Sequence, residues 1–573
     1  MNSNPLRGPS STSSSPARLI ATLAAVVLTT ILGLDSPAPG APPAVGRPNF
    51  VVIMLDDLGF GDLGCYGGEI RTPNIDRLAT DGLRFKKFYN ASRCCPSRAS
   101  LLTGLYPHQV GLASNGRDLG RNAATVAEHL RSSGYQTAMA GKWHLSATVP
   151  LGGNDRSPRQ LAWLNHGGDR DRPFADLATY PINRGFERHY GPIWGVVDYF
   201  DPFSLVEGTK PVRDVPDDYY ITDAITSRSV DYVKEMAGRP DSPFFLYVAH
   251  CAPHWPLHAR PEDIARYKGK YDAGWHALRE VRYRRQVAMG LVDPKTQPLP
   301  PLMGRGPDWD KLTEDERRHQ SSLMEVHAAM VDRVDQGVGA IVQELKDANR
   351  FDNTVIFVVA DNGASPERYL EPGYDRPSET RGGKPIQYGG TFQPGAEATW
   401  GYIGAYWANA LNTPYRYWKV EAFEGGCHTP MIVHWPQGLK TSPGATTDQV
   451  GHVIDLTPTC LDLANATPLR TLDGRDLKPL DGKSLAPIFS GKTREGHEAI
   501  YFEHEGGRAV LAKDGWKLVA SARNPWELYH VAEDATETRN LADQLPERVA
   551  EMDQAWRRWA ERVGARVPDG SRN

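Results

Sequence analysis

Asn49-Phe50-Val51-Val52-Ile53-Met54-Leu55 runs directly into Asp56-Asp57. A continuous apolar run with β-branched residues marks a strand buried on both faces of a parallel sheet. In open α/β sheets ligands bind outside the carboxyl ends of the strands, so two carboxylates at that end are placed for chemistry. Adjacent acids repel each other, and a hard cation such as Ca²⁺ is the usual compensation. Thr354-Val355-Ile356-Phe357-Val358-Val359-Ala360 repeats the pattern and stops at Asp361-Asn362. Oxygen ligands from Asp56, Asp57, Asp361 and Asn362 would make a calcium or magnesium site with room for a substrate oxygen.

Working outward, Ser242 to His250 and Met431 to Trp435 read as further core strands, and in the stretch from Gly134 a short apolar strand ends at Gly141. Met330, Val334, Val338, Ile341 and Leu345 recur at helical spacing, which predicts an amphipathic helix over 323–345. Past Ser490 the character shifts to short aromatic or β-branched runs divided by Gly, Asp and Asn, the mark of an antiparallel sheet. A terminal helix from about Pro546 to Val563 would cover it. The expected fold is α/β: a large mixed, mostly parallel sheet sandwiched by helices over 46–490, and a smaller antiparallel α+β subdomain over 491–573.

The 573 residues are 40% hydrophobic and 23% charged, ordinary for a globular protein. A net charge of -4 offers no general attraction to nucleic acid. At the N-terminus, Arg7 and Arg18 precede an apolar run from Leu19 to about Leu34, then small residues up to Val45. This is a signal-peptide pattern. The run falls short of the ~20 residues a span needs, so residues 1–45 are expected to be a cleaved leader, the chain exported to periplasm or medium, and no membrane span to remain. Cys65, Cys94, Cys95, Cys251, Cys427 and Cys460 show neither metal-finger spacing nor a dense disulfide framework.

The densest chemistry lies in Asn90-Ala91-Ser92-Arg93-Cys94-Cys95-Pro96-Ser97-Arg98, continuing to Leu102-Thr103-Gly104. A helix start there would present N–H groups and a positive dipole end to an anion, with Arg98 beside it. Cys-x-Pro-Ser-Arg followed by Leu-Thr-Gly resembles the signature of the type I sulfatases, members of the alkaline phosphatase superfamily. In that family the cysteine is oxidised to formylglycine, the nucleophile; Cys94 matches it. Gly141-Lys142-Trp143-His144 resembles the second signature, and alternate residues of an extended chain would aim Lys142 and His144 the same way. Ala252-Pro253-His254-Trp255-Pro256 points to His254 rather than His250 or His258, and Lys419, five residues before Glu424-Gly425-Gly426, matches the leaving-group lysine. His428 stands where many relatives carry arginine.

The resemblance spans nearly the whole mature chain and implies an arylsulfatase-like hydrolase of sulfate monoesters. One divalent metal, generally Ca²⁺ in that family, would sit on Asp56, Asp57, Asp361, Asn362 and residue 94. Hydrated formylglycine would attack sulfur while metal, Arg98 and Lys142 hold the charge. Asp361 is a candidate to assist its deprotonation, His254 with Lys419 would serve the leaving oxygen, and His144 would deprotonate the second hydroxyl so that sulfate departs. Partners implied are a small-molecule or saccharide sulfate ester and, transiently, a formylglycine-generating enzyme. Two alternatives stand beside this: a phosphonate monoester or phosphodiester hydrolase of the same superfamily, and a non-catalytic anion-binding homologue with unmodified Cys94. Trp163, Trp194, Trp400, Trp407 and Tyr402 are candidates to stack on a substrate ring, or equally core residues.

Overall fold

The computed structural model describes residues 46–148 and 172–567. The leader and Trp163 lie outside them. Among the described residues the main sheet has ten strands. From one edge to the other they are Ala445–Thr447, Leu83–Phe85, Met431–His434, Thr354–Ala360, Asn49–Leu55, Phe244–Ala249, Gln136–Gly141, Arg188–Pro192, Leu205–Glu207 and Lys210–Pro211. The five strands from Thr354–Ala360 to Arg188–Pro192 pair in parallel. Antiparallel pairs flank that block on both sides.

Alternation along Asn49–Leu55 shows why its side chains are apolar without interruption. Val51, Ile53 and Leu55 join one core with Ile225 and Val233 of the Ile221–Ala237 helix and Val334, Val338 and Ile341 of the long helix. Phe50, Val52 and Met54 join the other, with Leu101, Leu102, Leu130 and Leu456. Each face of the strand thus removes its own row of side chains from water, at about 25 cal/mol per Å² of apolar surface.

The long helix covers Glu314–Asp347, nine residues earlier than the periodicity predicts. Thr313 caps it: its hydroxyl accepts the Glu316 N–H while the Glu316 carboxylate accepts the Thr313 N–H. This capping box carries the first turns, whose Glu314, Asp315 and Arg318 side chains stay in solvent.

Ala499–His504, Gly507–Ala512, Trp516–Ala520 and Glu527–His530 form the expected antiparallel sheet. The Pro546–Val563 helix lays Trp556 and Trp559 against Val510, Leu518 and Leu528. Buried Lys517 ties this sheet to Glu424, 2.7 Å away, and to Glu537 at 2.9 Å. All six cysteines are buried and free, so no disulfide contributes.

Candidate active site

Strand register builds the centre. Leu55 pairs with Ala360, Met54 with Ala249, and Ala249 with Gly141. Asp56 is therefore level with Asp361, while His250 and Lys142 are level with each other one residue earlier, beside Leu55. Asp361 Oδ1 accepts the Asp57 N–H at 3.2 Å, Asn362 Nδ2 donates to Asp57 Oδ1 at 2.7 Å, and Lys142 Nζ is hydrogen-bonded to Asp56 Oδ2. Asp57 adopts the left-handed conformation (φ 65°), which turns the chain off the sheet between the two acids.

The Cys94–Thr103 helix packs beneath this level with Arg93 as its extended N-cap. Cys94 and Arg98 are one turn apart and share a face. Arg98 grips Asp361 Oδ2 through Nε at 3.0 Å and Nη2 at 2.7 Å, and donates to the Lys142 carbonyl at 3.1 Å. Cys94 is 1% exposed. The adjoining Cys95 side chain, with Lys142 and His144 nearby, holds its thiol well below the usual range against the opposing effect of burial.

The extended geometry expected beyond Gly141 does not persist. Lys142 N–H bonds the Ala249 carbonyl and His144 N–H the Ile193 carbonyl, and His144 itself sits at φ 61°. Lys142 and His144 still both act on Cys94, because the chain turns there rather than because alternate residues share a face. Cys95 Sγ–H donates to the His144 carbonyl at 3.0 Å and Trp194 meets its ring edge-on at 5.7 Å. Burial draws His144 down to about 4, so the imidazole is neutral near pH 7.

On the opposite side, His254 Nδ1 donates to the Trp255 carbonyl at 2.5 Å and Nε2 faces Asp57 Oδ2 at 3.6 Å. Burial and Lys419 keep His254 well below its ordinary value. Lys419 Nζ lies 2.8 Å from Asp57 Oδ1 and 3.1 Å from Glu367 Oε2, and Glu367 Oε1 lies 2.8 Å from Arg93. Sequence reasoning passed over Glu367 and Arg93. Their only signal is adjacency, Arg93 to Cys94 and Glu367 to the loop after Asp361-Asn362.

The other expectations resolve by contact. The His250 ring is buried with no hydrogen-bond partner among the described residues, and His258 is held by the Thr399 carbonyl. His428 does not reach this centre: it bridges Glu424 and the Lys86 carbonyl and stacks on Tyr415. Trp400 and Trp407 are core residues, whereas Tyr402 lines open space.

The donor set fits a hard cation. Asp56 Oδ1 and Asn362 Oδ1 are buried oxygens without a hydrogen-bond partner among the described residues. Oxygens of Asp56 and Asp57 come within 4.8 Å of each other and of a His254 nitrogen. Burial and Asp361 push Asp56 well above the usual carboxylate range despite Lys142 and Arg98, and burial raises Asp57 despite Lys419. Carboxylates in that condition gain from a bound dication. Asp56, Asp57, Asp361 and Glu367 are matched in number by Arg93, Arg98, Lys142 and Lys419. A dication would therefore leave surplus positive charge for an anionic ester. Lys419 and Glu367 also line a cleft of about 690 Å³, with Trp418, Tyr402, Arg305 and Arg368.

Comparison with known proteins agrees with this construction. Residues 48–466 match the sulfatase family model, and residues 416–558 match that of the N-sulphoglucosamine sulphohydrolase C-terminal region. The arylsulfatase of Klebsiella aerogenes is 31% identical over 450 residues, 74% of this chain and 88% of its own. Human arylsulfatase A is 29% identical over 476 residues, 80% of this chain and 71% of its own. A crystal structure described as Ps i-CgsB superposes with a TM-score of 0.62 at 25% identity, covering 90% of this chain and 93% of that one. The same protein in complex with k-i-k-neocarrahexaose gives 0.61. A fully buried carboxylate centre at the strand ends, a Cys-x-Pro-Ser-Arg helix beside it and a family match over most of the length lead to one conclusion: the chain belongs to the sulfatase family.

Proposed function

We propose that this sulfuric ester hydrolase cleaves sulfate monoesters through residue 94 as formylglycine, with one divalent cation, Ca²⁺ by its donor set. The observation that carries the reading is the placement of Cys94 among Arg98, Lys142 and His144 at the edge of the Asp56, Asp57, Asp361 and Asn362 cluster. Residue 94, as the hydrated aldehyde, would supply the attacking hydroxyl. Asp56, Asp57, Asp361 and Asn362, with residue 94, would hold the cation, which when bound supplies Lewis-acid stabilisation of the sulfate oxygens.

The chain's own groups do the rest. Arg98, fixed by its two bonds to Asp361, and Lys142 present charge to the non-bridging oxygens without reorganising. His144, neutral and buried, is a base poised to take a proton from residue 94. Asp361 is committed to Arg98 and to the Asp57 N–H, so orientation rather than proton transfer is the role its contacts support. His254 and Lys419 stand together on the far side and serve the leaving oxygen. A substrate anion arriving between them offsets the influence of Lys419 that keeps His254 unprotonated.

The leaving group would occupy the cleft beyond Lys419. Its aromatic and guanidinium lining suits a polar ring, so we favour a saccharide sulfate, with aryl sulfates as assay substrates. Export and cleavage of the 1–45 leader, and maturation by a formylglycine-generating enzyme, complete the proposal. The test is mass analysis of the residue 94 peptide alongside turnover of 4-nitrophenyl sulfate and an aryl phosphonate ester. Aldehyde at residue 94 with preferred sulfate turnover is expected. Unmodified thiol in active protein, or preference for the phosphonate, would overturn it.

A further inference from the structure

Glu367 follows the strand that delivers Asp361 and Asn362, in the loop Gly363-Ala364-Ser365-Pro366. Its side chain is only 14% exposed, yet it carries a charge and meets four partners. Oε1 takes Arg93 at 2.8 Å, and Oε2 takes Lys419 at 3.1 Å, the Trp255 indole N–H at 2.7 Å and the Ser365 hydroxyl at 3.0 Å. Those partners come from the residue before Cys94, the residue after His254, the Lys419 loop and its own loop. A single carboxylate therefore joins the nucleophile helix to both groups assigned to the leaving oxygen.

Resting on the sulfatase reading above, we propose that Glu367 is a positioning residue that centres Lys419 on the leaving oxygen. The Lys419 ammonium is fully buried between Asp57 on the inner side and Glu367 on the side of the cleft. An ammonium drawn by Asp57 alone settles onto the carboxylate cluster, away from the space where an aglycone must lie. The second carboxylate balances that pull and leaves the lysine at the boundary the departing oxygen crosses. Arg93 fixes the opposite oxygen of Glu367, so the carboxylate is held from both ends, and the pair sets the distance between the N-cap of the Cys94 helix and Lys419. Although burial opposes it, Arg93 and Lys419 keep Glu367 ionised, well below the usual carboxylate range.

The test is a leaving-group series. Wild type, Glu367→Gln, Glu367→Asp, Lys419→Ala and the Glu367→Gln/Lys419→Ala double variant are assayed on aryl sulfates from 4-nitrophenyl, which departs unaided, to phenyl, which needs help. Glu367→Gln is expected to lose at least about tenfold more kcat/KM on phenyl than on 4-nitrophenyl sulfate, as loss of assistance to the leaving group requires. Glu367→Asp should fall between, and Glu367→Gln should add nothing once Lys419 is gone. Equal losses on both esters, no loss, or an undiminished effect in the Lys419→Ala background would overturn the proposal. If Glu367→Gln does not fold, Glu367→Asp carries the same comparison. Wild-type protein that turns over neither ester would overturn the sulfatase reading instead.

Discussion

Gly195 lies so close to the His144 imidazole that a Cβ at residue 195 would stand 2.0 Å from Cε1 and 2.1 Å from Nε2. The ring rests on a backbone, and the missing side chain is what makes its seat. Gly195→Ala is therefore expected to swing His144 away from residue 94 and lower kcat by about a hundredfold, the scale of a misplacement near 1 Å. Because residue 195 is not in the left-handed region, its own backbone tolerates alanine. Melting temperature should accordingly change little while steady-state kinetics change much, and the opposite pattern would show that Gly195 serves folding alone.

Arg98 and Asp361 form a pair with no exposed atoms on either side chain. Arg98→Met leaves a buried carboxylate cluster short of a cation, which costs about 3–5 kcal/mol. Denaturant titration should show that loss. Arg98→Lys should recover part of the stability but not the two-point grip on one oxygen, and its turnover should stay far below wild type.

Removing divalent ions should relax the site in a measurable way. Dialysis against a calcium chelator is expected to abolish sulfate-ester turnover and lower the melting temperature, with Ca²⁺ restoring both. At a hundred times Kd a bound ion stabilises by about 2.7 kcal/mol. Asp56→Asn should lose the Ca²⁺-dependent rise in melting temperature, read by calorimetry without any substrate. A chelator-treated protein that melts unchanged and remains active would argue against a resident metal.

Acid sensitivity has an identifiable contributor remote from the site. Burial draws His129 down to about 4, and its Nδ1 accepts the Leu469 N–H at 3.1 Å. The unfolded chain binds a proton here below about pH 6.5 while the folded chain does not, so stability is full above that value and falls as pH drops toward 4. At pH 5 the cost is about 2 kcal/mol. His129→Gln should flatten the stability profile between pH 6.5 and 4 by close to one proton, measured by denaturant melts along that range.

The sheet and the carboxylates at its strand ends were legible because their signal is local: a run of apolar β-branched residues and the acids that end it. Register did the assembling, since the paired parallel strands bring Asp56 level with Asp361 and end Lys142 one residue short of that level. Residues whose function comes from packing alone were not legible. Gly195 matters through a ring 51 positions earlier, and Glu367 gathers Arg93, Trp255 and Lys419 from three separate segments. The placement of His144 was expected for the wrong reason, because a left-handed residue cannot be inferred from strand alternation. The early start of the long helix escaped periodicity because its first turns are polar, although Thr313 and Glu316 announce it.

Six separate thiols, two of them neighbours in the chain, have a consequence for how this protein is held together. Among the described residues no covalent cross-link braces the fold, which rests on packing, strand pairing and buried ion pairs alone. A thiol reductant should leave its unfolding profile untouched. Oxidation of residue 94, the conversion proposed above, would then change what the molecule can do and not how it is held together.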